Sequence, residues 1–211
     1  MKREEKNALS RQRIFDAALR EFSEKGYRGA SLNTVCAENG ISKGIIYHYF
    51  KDKDELYLLC AADCFDTLTA YMKAVQESAP ATIEQRLNAY FDARLRFFAE
   101  SPLYLGIFLD VVLTPPAHLT MQLMKARAAF DALNISMLTA LLMSAPLRKG
   151  LSAANVTEDF RMYMDFFNTR FQAALADAAT PECALREHEE RSHRQLNILL
   201  HGVLDDQDEN S

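Results

Sequence analysis

Residues 40–50 read Gly40-Ile41-Ser42-Lys43-Gly44-Ile45-Ile46-Tyr47-His48-Tyr49-Phe50, and this stretch decides the fold. Asn39-Gly40 ends one helical segment, because glycine adopts the left-handed conformation that closes a helix at little cost. Ser42 opens the next, since its hydroxyl accepts from a backbone N–H left free in the first turn. The turn Glu38-Asn39-Gly40-Ile41-Ser42 therefore separates two short helices. The earlier one starts at Ser31 and buries Leu32, Val35 and Cys36. Before it, Ile14, Ala17, Ala18 and Phe22, with Phe15 and Leu19 beside them, recur at helical spacing. That first helix is expected from about Ser10 to Lys25, with Gly26 as its stop. Three short helices with a tight glycine turn between the second and third match a helix-turn-helix.

The third helix carries the chemistry. At 100° per residue, with Lys43 at 0°, Tyr47 falls near 40°, Gly44 near 100° and His48 near 140°. Ile45, Ile46, Tyr49 and Phe50 fall on an apolar half. Lys43 has the donors that guanine O6 and N7 accept in the major groove. Gly44 lets the backbone approach a base edge or a thymine methyl. The Tyr47 hydroxyl and the His48 ring can reach phosphate oxygens and fix register, the other reading being a merely solvated side of a small helix. Lys53 opens the fourth helix, where the macrodipole disfavours a cation but a bound phosphate would reverse the sign. An exposed lysine at small electrostatic cost is the simpler account of Lys53 taken alone. Thr34 is a phosphate donor or a solvated threonine. The candidate DNA contacts are Thr34, Ser42, Lys43, Gly44, Ile45, Tyr47, His48 and Lys53.

Outward from this head, the chain reads as all-α. It has 211 residues, 49% hydrophobic and 25% charged, with only seven glycines and six prolines. So few turn residues argue against a sandwich, a barrel or a doubly wound sheet. Asp52 caps a fourth helix, to about Glu77, with Glu55 at the capping-box spacing. Ser78-Ala79-Pro80-Ala81 breaks it. Further helices are expected at about 83–99, from Ser101-Pro102, at 118–144, 157–178 and from Pro181 to about Leu204, nine in all, before an acidic tail from Asp205 to Ser211. The division expected is 1–52, DNA-binding, and 53–211, ligand-binding and dimerisation. Residues 1–53 carry a formal charge of +4 and the remainder −9, so a basic head sits on an acidic body. The charged start Met1-Lys2-Arg3-Glu4-Glu5-Lys6, with no apolar stretch after it, is unlike a secretory signal. The longest apolar run, about Ile135 to Met143, is too short to span a bilayer. A cytoplasmic protein with no membrane partner is expected.

The segment Ile14 to Cys60 resembles the TetR family of bacterial transcriptional regulators. The matching residues include Ile14-Phe15-Asp16-Ala17-Ala18, Phe22, Lys25-Gly26-Tyr27, Ser31-Leu32, Gly40-Ile41-Ser42-Lys43-Gly44, Ile46-Tyr47-His48-Tyr49-Phe50 and Lys51-Asp52-Lys53-Asp54-Glu55-Leu56. Where Val35-Cys36-Ala37 stand, the family often has Ile-Ala, and Cys36 reads as a core substitution. The resemblance implies an all-α chain with three DNA-binding helices and about six regulatory ones. It implies a homodimer through the last two helices, here about 157–178 and 182–204, on double-stranded DNA at a pseudo-palindromic operator. It implies a repressor, released when a small molecule enters the C-terminal domain, shifts the fourth helix and changes the separation of the heads. The residues agree in part: the eighth helix has Phe160, Tyr163, Met164, Phe167 and Phe171 on one side and Met162 and Phe166 on another, one side for the core and one for a partner. Leu185, Leu196, Leu199, Leu200 and Val203 stripe the ninth.

The effector expected is small and hydrophobic or aromatic, and its candidate contacts are Tyr90, Arg94, Tyr104, Phe108, Phe130, Tyr163 and Phe167. Core packing is the simpler account of any one of these aromatics taken alone. Arg94 suits an acidic ligand or a structural ion pair with Asp110, Asp131 or Asp165. Cys60 and Cys64 lie four apart on the fourth helix. They read as buried hydrophobes, with a thiol or metal sensor as the other possibility. Lys2, Arg3 and Lys6 form an arm that either touches DNA or is disordered. No cofactor, metal set or catalytic constellation is evident, so no enzyme is expected. The other function considered is a DNA-binding protein of the same architecture serving chromosome organisation or cell division.

Overall fold

The computed structural model describes residues 3–76, 82–144, 146–174 and 180–204. The expected break at Ser78–Ala81, the tail from Asp205, the end of the eighth helix at 175–178, Lys2 and the side chains of Arg3 and Lys6 lie outside the described residues. Among those described, the chain is all-α with nine α-helices. These are α1 (Arg3–Gly29), α2 (Leu32–Asn39), α3 (Lys43–Tyr49), α4 (Lys53–Gln76), α5 (Ile83–Glu100), α6 (Pro102–Leu113), α7 (Thr120–Met143), α8 (Ala153–Ala174) and α9 (Pro181–Val203). A 3₁₀ turn, Ala117–Leu119, precedes α7. The only extended pairing described is an isolated antiparallel bridge between Leu147 and Leu204.

The ends of these helices follow from local chemistry. Ser31 accepts from Asn33 N at 3.2 Å to start α2, and Ser42 accepts from Ile45 N at 3.3 Å to start α3. Gly40, at φ 60° and ψ 35°, closes α2 in the left-handed region. Thr180 caps α9 by accepting from Cys183 N, with Pro181 in its first turn. The first helix starts at Arg3, upstream of the expected Ser10, and its helical geometry stops at Gly26 as expected, where φ 61° and ψ 176° break it before a further turn to Gly29. The eighth helix starts at Ala153 instead of Thr157, because Ser152 Oγ accepts from Asn155 N and moves the cap upstream. Together with its preceding turn, α7 spans Ala117–Met143. By length and composition it is long enough and apolar enough to cross a membrane, unlike the shorter run at 135–143. Core helices of soluble proteins meet the same criterion.

The chain packs as two units. The first comprises Met1–Thr67 and Phe98–Ala128, and the second Leu68–Phe97 and Ala129–Ser211. In the first unit, α6 lies directly against α1. A Cβ built on Gly106 would stand 2.0 Å from the backbone oxygen of Ser23. Only glycine permits that approach. Gly106→Ala is therefore expected to lose about 1–3 kcal/mol of stability, toward the upper end because the obstacle is backbone. Urea denaturation followed by helical circular dichroism measures it, and an unchanged midpoint would show that the two helices are free to separate. The core of this unit is Ile14, Ala18, Phe22, Val35, Ile46, Phe50, Leu56 and Tyr57, all almost fully buried.

In the second unit α8 and α9 run as a pair. One stripe of α9 is buried and carries Leu185, His188, Glu189, Ser192, Leu196 and Leu200. Of the leucines expected to form that stripe, Leu199 is only half-buried. On α8, Phe171 is buried and Phe160, Tyr163, Met164 and Phe167 are half-buried, while Met162 and Phe166 face outward.

Candidate nucleic-acid interface

The head is assembled so that α3 presents one side outward. Ile41, Ile46 and Phe50 turn inward, and the guanidinium of Arg11 lies 5.4 Å from the centre of the Phe50 ring. Tyr49 donates its hydroxyl to Asn7 Oδ1 at 3.1 Å and ties α3 to α1. Arg13 Nη2 donates to Asn39 O at 2.6 Å, closing the last turn of α2. The buried carboxylate of Glu21 accepts from Ser31 N at 2.9 Å and from Lys25 Nζ at 2.7 Å, which anchors the start of α2. Glu21 is thus a structural anchor that the helical periodicity alone did not single out.

What remains outward on α3 is Ser42, Lys43, Gly44, Ile45, Tyr47 and His48, all exposed. All six are among the candidate contacts, and Ile45, which the helical wheel puts on the apolar half, is 45% exposed. The helix has only seven residues, and a single inward side chain, Ile46, is enough to seat it. The aliphatic tip of Ile45 therefore joins the outer face, where it suits a thymine methyl. Tyr47 is 58% exposed. The His48 ring meets Tyr49 edge-on at 4.9 Å, which orients the imidazole. A Cβ added to Gly44 would touch nothing within 4 Å. Packing inside the chain does not call for a glycine there.

Thr34 is half-buried on α2. Lys53 is the first residue of α4 and its Nζ sits 4.4 Å from the centre of the Tyr27 ring. Burial lowers its pKa from the ordinary lysine value, partly offset by Asp54, Asp110 and Glu21. Asp52 Oδ1 accepts from Glu55 N at 2.9 Å, and Glu55 Oε2 returns to Lys51 N at 2.6 Å. The capping box thus closes one residue earlier than its usual spacing.

The seven candidate effector contacts fall in both units. Tyr104 and Phe108 belong to the first. The Tyr104 hydroxyl donates to Asp63, and Phe108 packs on Phe65 and Phe98. Tyr90, Arg94, Phe130, Tyr163 and Phe167 belong to the second. Tyr90 donates to Asn134. The Arg94 guanidinium lies over the rings of Tyr90, Phe91 and Phe130 at 5.5, 5.3 and 5.9 Å. Its ion-pair partner is none of the three aspartates considered. Nε donates to Glu189 Oε2 at 2.6 Å, and Glu189 is almost wholly buried. His188 Nδ1 lies 3.2 Å from the other Glu189 oxygen and its Nε2 is 2.8 Å from Asn168 Oδ1. Phe167 and Phe171 pack on the His188 ring, and Tyr163 stacks along Phe167. Cys60 and Cys64 are fully buried, and burial raises both thiols well above the ordinary cysteine value. Neutral thiols of this kind pack and do not react. No cluster of metal-ligating side chains occurs among the described residues.

Comparison with known proteins singles out the same region. The family model described as bacterial regulatory proteins, tetR family, matches residues 14–60. The transcriptional repressor AcnR of Corynebacterium efficiens is 41% identical over 59 residues, 28% of this chain and 31% of AcnR. The regulator HbdR of an Aromatoleum species is 39% identical over 79 residues, 37% of this chain and 34% of HbdR. The chain thus spans about a third of the length of the curated relatives it matches. Over nearly the whole chain the fold is similar to that of FadR from Bacillus subtilis, solved in complex with stearoyl-CoA. That likeness has a TM-score of 0.64 at 17% identity and covers 88% of this chain and 96% of FadR. A regulator from a Rhodococcus species is equally similar, with a TM-score of 0.63 at 20% identity, covering 91% of this chain and 96% of that one.

Proposed function

We propose, from the match of residues 14–60 to the family model of bacterial regulatory proteins, tetR family, that the chain is a transcriptional repressor that binds a pseudo-palindromic operator as a homodimer and is released by a small apolar or aromatic effector. The observation that carries the reading is the outer face of α3. It combines a guanine-reading lysine, a glycine that no internal contact demands, an exposed isoleucine and two ring side chains with polar tips. A major groove accepts such a helix, with Lys43 and Ile45 at base edges, Gly44 allowing close approach, and Ser42, Tyr47, His48, Thr34 and Lys53 at phosphates. Residues 1–52 do the reading, and 53–211 hold the effector and the partner subunit. The exposed Met162 and Phe166 on α8, with Ile198 on α9, support a partner through the last two helices. Tyr90, Arg94, Tyr104, Phe108, Phe130, Tyr163 and Phe167 stand as candidate effector contacts. The repressor AcnR among the relatives supports the sign of regulation, and the stearoyl-CoA held by FadR is an instance of an apolar ligand on this fold.

Fluorescence anisotropy on DNA from upstream of the chain's own gene, against scrambled DNA across a salt series, tests the reading. Nanomolar binding that survives ~150 mM salt, with scrambled DNA ~10³-fold weaker or more, is expected. Equal, steeply salt-dependent binding to both would leave only phosphate contact and point to the chromosome-organising function. Lys43→Ala is expected to relax base preference at about one position per half-site, costing roughly 1–3 kcal/mol there. Selection of preferred sites from a randomised duplex pool would detect this, and an unchanged preferred sequence would remove Lys43 from base reading.

A further inference from the structure

We propose that Asp110, on α6, is a positioning residue for DNA binding: through Tyr27 it holds the Lys53 ammonium where it meets phosphate. This rests on the reading of Lys53 as a phosphate contact. Every group involved belongs to the first packing unit.

Asp110 is a single carboxylate serving three elements. Its Oδ2 accepts from Tyr27 N at 2.8 Å and from the Tyr57 hydroxyl at 2.6 Å. Its Oδ1 accepts from Thr114 Oγ1 at 2.9 Å. The Tyr27 N–H lies just beyond the break at Gly26, so it opens the last turn of α1. A carboxylate at that point is favourable for the same reason as at any helix start. The approach is tight, because a Cβ at Gly26 would lie 3.0 Å from Asp110 Oδ1. The carboxylate thus fixes both the break in α1 and the residue that follows it.

Tyr27 is then held at three further points. Its ring packs edge-on against Tyr57, with centroids 5.0 Å apart. Its hydroxyl donates to Asp54 Oδ1 at 2.5 Å and lies 3.2 Å from His118 Nε2. Burial and the Asp54 hydrogen bond push its pKa up to about 12, so it stays a neutral donor at any working pH. The ring carries Lys53 on its face. Asp54, the acidic neighbour that would otherwise draw the lysine in, has both oxygens engaged, Oδ1 by Tyr27 and Oδ2 by His118 at 3.2 Å. The ammonium therefore rests on an aromatic face, a contact that orients a cation without neutralising it. A cation ordered in advance binds phosphate with less loss of freedom than one on a wandering four-carbon chain. Asp110 acts on DNA only through this arrangement and has no contact with DNA itself.

The test is a double-mutant cycle read by anisotropy on a scrambled-sequence duplex at low salt, so no operator need be known. Lys53→Ala is expected to weaken binding about three- to tenfold and to lower the salt slope by about 1 for each phosphate that the lysine no longer neutralises. Asp110→Asn puts an amide N–H against one of the donors that the carboxylate satisfies, and is expected to give a similar weakening and the same change in slope. The double variant is expected to bind no worse than the weaker single variant, within twofold. If the two effects multiply, Asp110 does not act through Lys53 and the proposal falls. If Lys53→Ala alone changes nothing, the phosphate reading of Lys53 fails instead. Tyr27→Ala, at a half-exposed position, runs the same cycle should Asp110→Asn fail to fold. Multiplying effects there overturn the proposal equally.

Discussion

Glu189→Gln is expected to lower the unfolding free energy by about 3–5 kcal/mol, the cost of leaving a buried charge without its counter-ion. Arg94 and Glu189 are both almost fully buried, on helices 95 residues apart in sequence, and joined by Nε–Oε2 at 2.6 Å. Burial by itself pushes the Glu189 carboxyl up. The attraction of Arg94, with the hydrogen bond and charge of His188, outweighs it and leaves the pKa below the ordinary glutamate value. The pH dependence follows in sign. A carboxylate whose folded pKa is depressed contributes its full stability above the unfolded value near 4.5, and loses it as pH falls from there through the lowered folded value. The wild type should therefore destabilise across that acid window, and the glutamine variant should lack this component. For a chain of this size the loss corresponds to a melting temperature about 6–20 °C lower. Thermal denaturation at neutral pH and along an acid series measures both. Arg94→Met combined with Glu189→Leu should recover most of the loss, because two apolar side chains leave no orphan charge. If Glu189→Gln melts with the wild type, the pair is hydrated in solution and Arg94 is free for another anion.

The elements that sequence reading located well are those whose signals are local. Ser31, Gly40, Ser42 and Pro181 act within one turn of themselves, and the helix ends they predict are where the structure has them. The outer face of α3 was legible for the same reason, with Ile45 as the exception. A wheel assigns sides by angle, but which angles are buried depends on what packs there, and a seven-residue helix needs only Ile46 as its anchor. The residues missed act over distance. Asp110 is the one charged residue in the apolar run Pro102–Leu113, which marks it as unusual, yet nothing nearby says that its donors are Tyr27 and Tyr57. Glu189 sits in a charged stretch, Arg186 to Arg191, that looks solvated. Only its spacing from Leu185, Ser192 and Leu196 puts it on the buried stripe, and the matching cation is on α5. The effector contacts were the least legible, since aromatic and methionine side chains serve a core and a pocket with the same spacing. The seven residues chosen divide between two packing units.

Phe166→Glu is expected to have the largest effect on function, through assembly and not through the head. Met162 and Phe166 lie one turn apart on the outer side of α8 and are 57% and 63% exposed, with Ile198 of α9 equally uncovered. Large apolar side chains clustered on one helix pair mark a surface made to be covered. In the proposed dimer that cover is the same surface of a second copy, so a single substitution enters the interface twice. A glutamate there must be desolvated, once from each subunit, a cost that the exposed Arg170, 6.0 Å from the centre of the Phe166 ring and four residues on, offsets only in part. Sedimentation of the variant should show monomers at concentrations where the wild type is dimeric. The consequence for DNA is larger than that of removing any single DNA-facing side chain. Two heads on one particle make the second half-site encounter intramolecular, an advantage of about 10²–10⁴ that a monomer forgoes. Operator affinity should fall by that factor, while binding to an isolated half-site and the base preference set by Lys43 stay as they were. A variant that still sediments as a dimer would place the interface elsewhere. A monomer that keeps full operator affinity would show that one head suffices, and a pseudo-palindromic site would then have no physical basis.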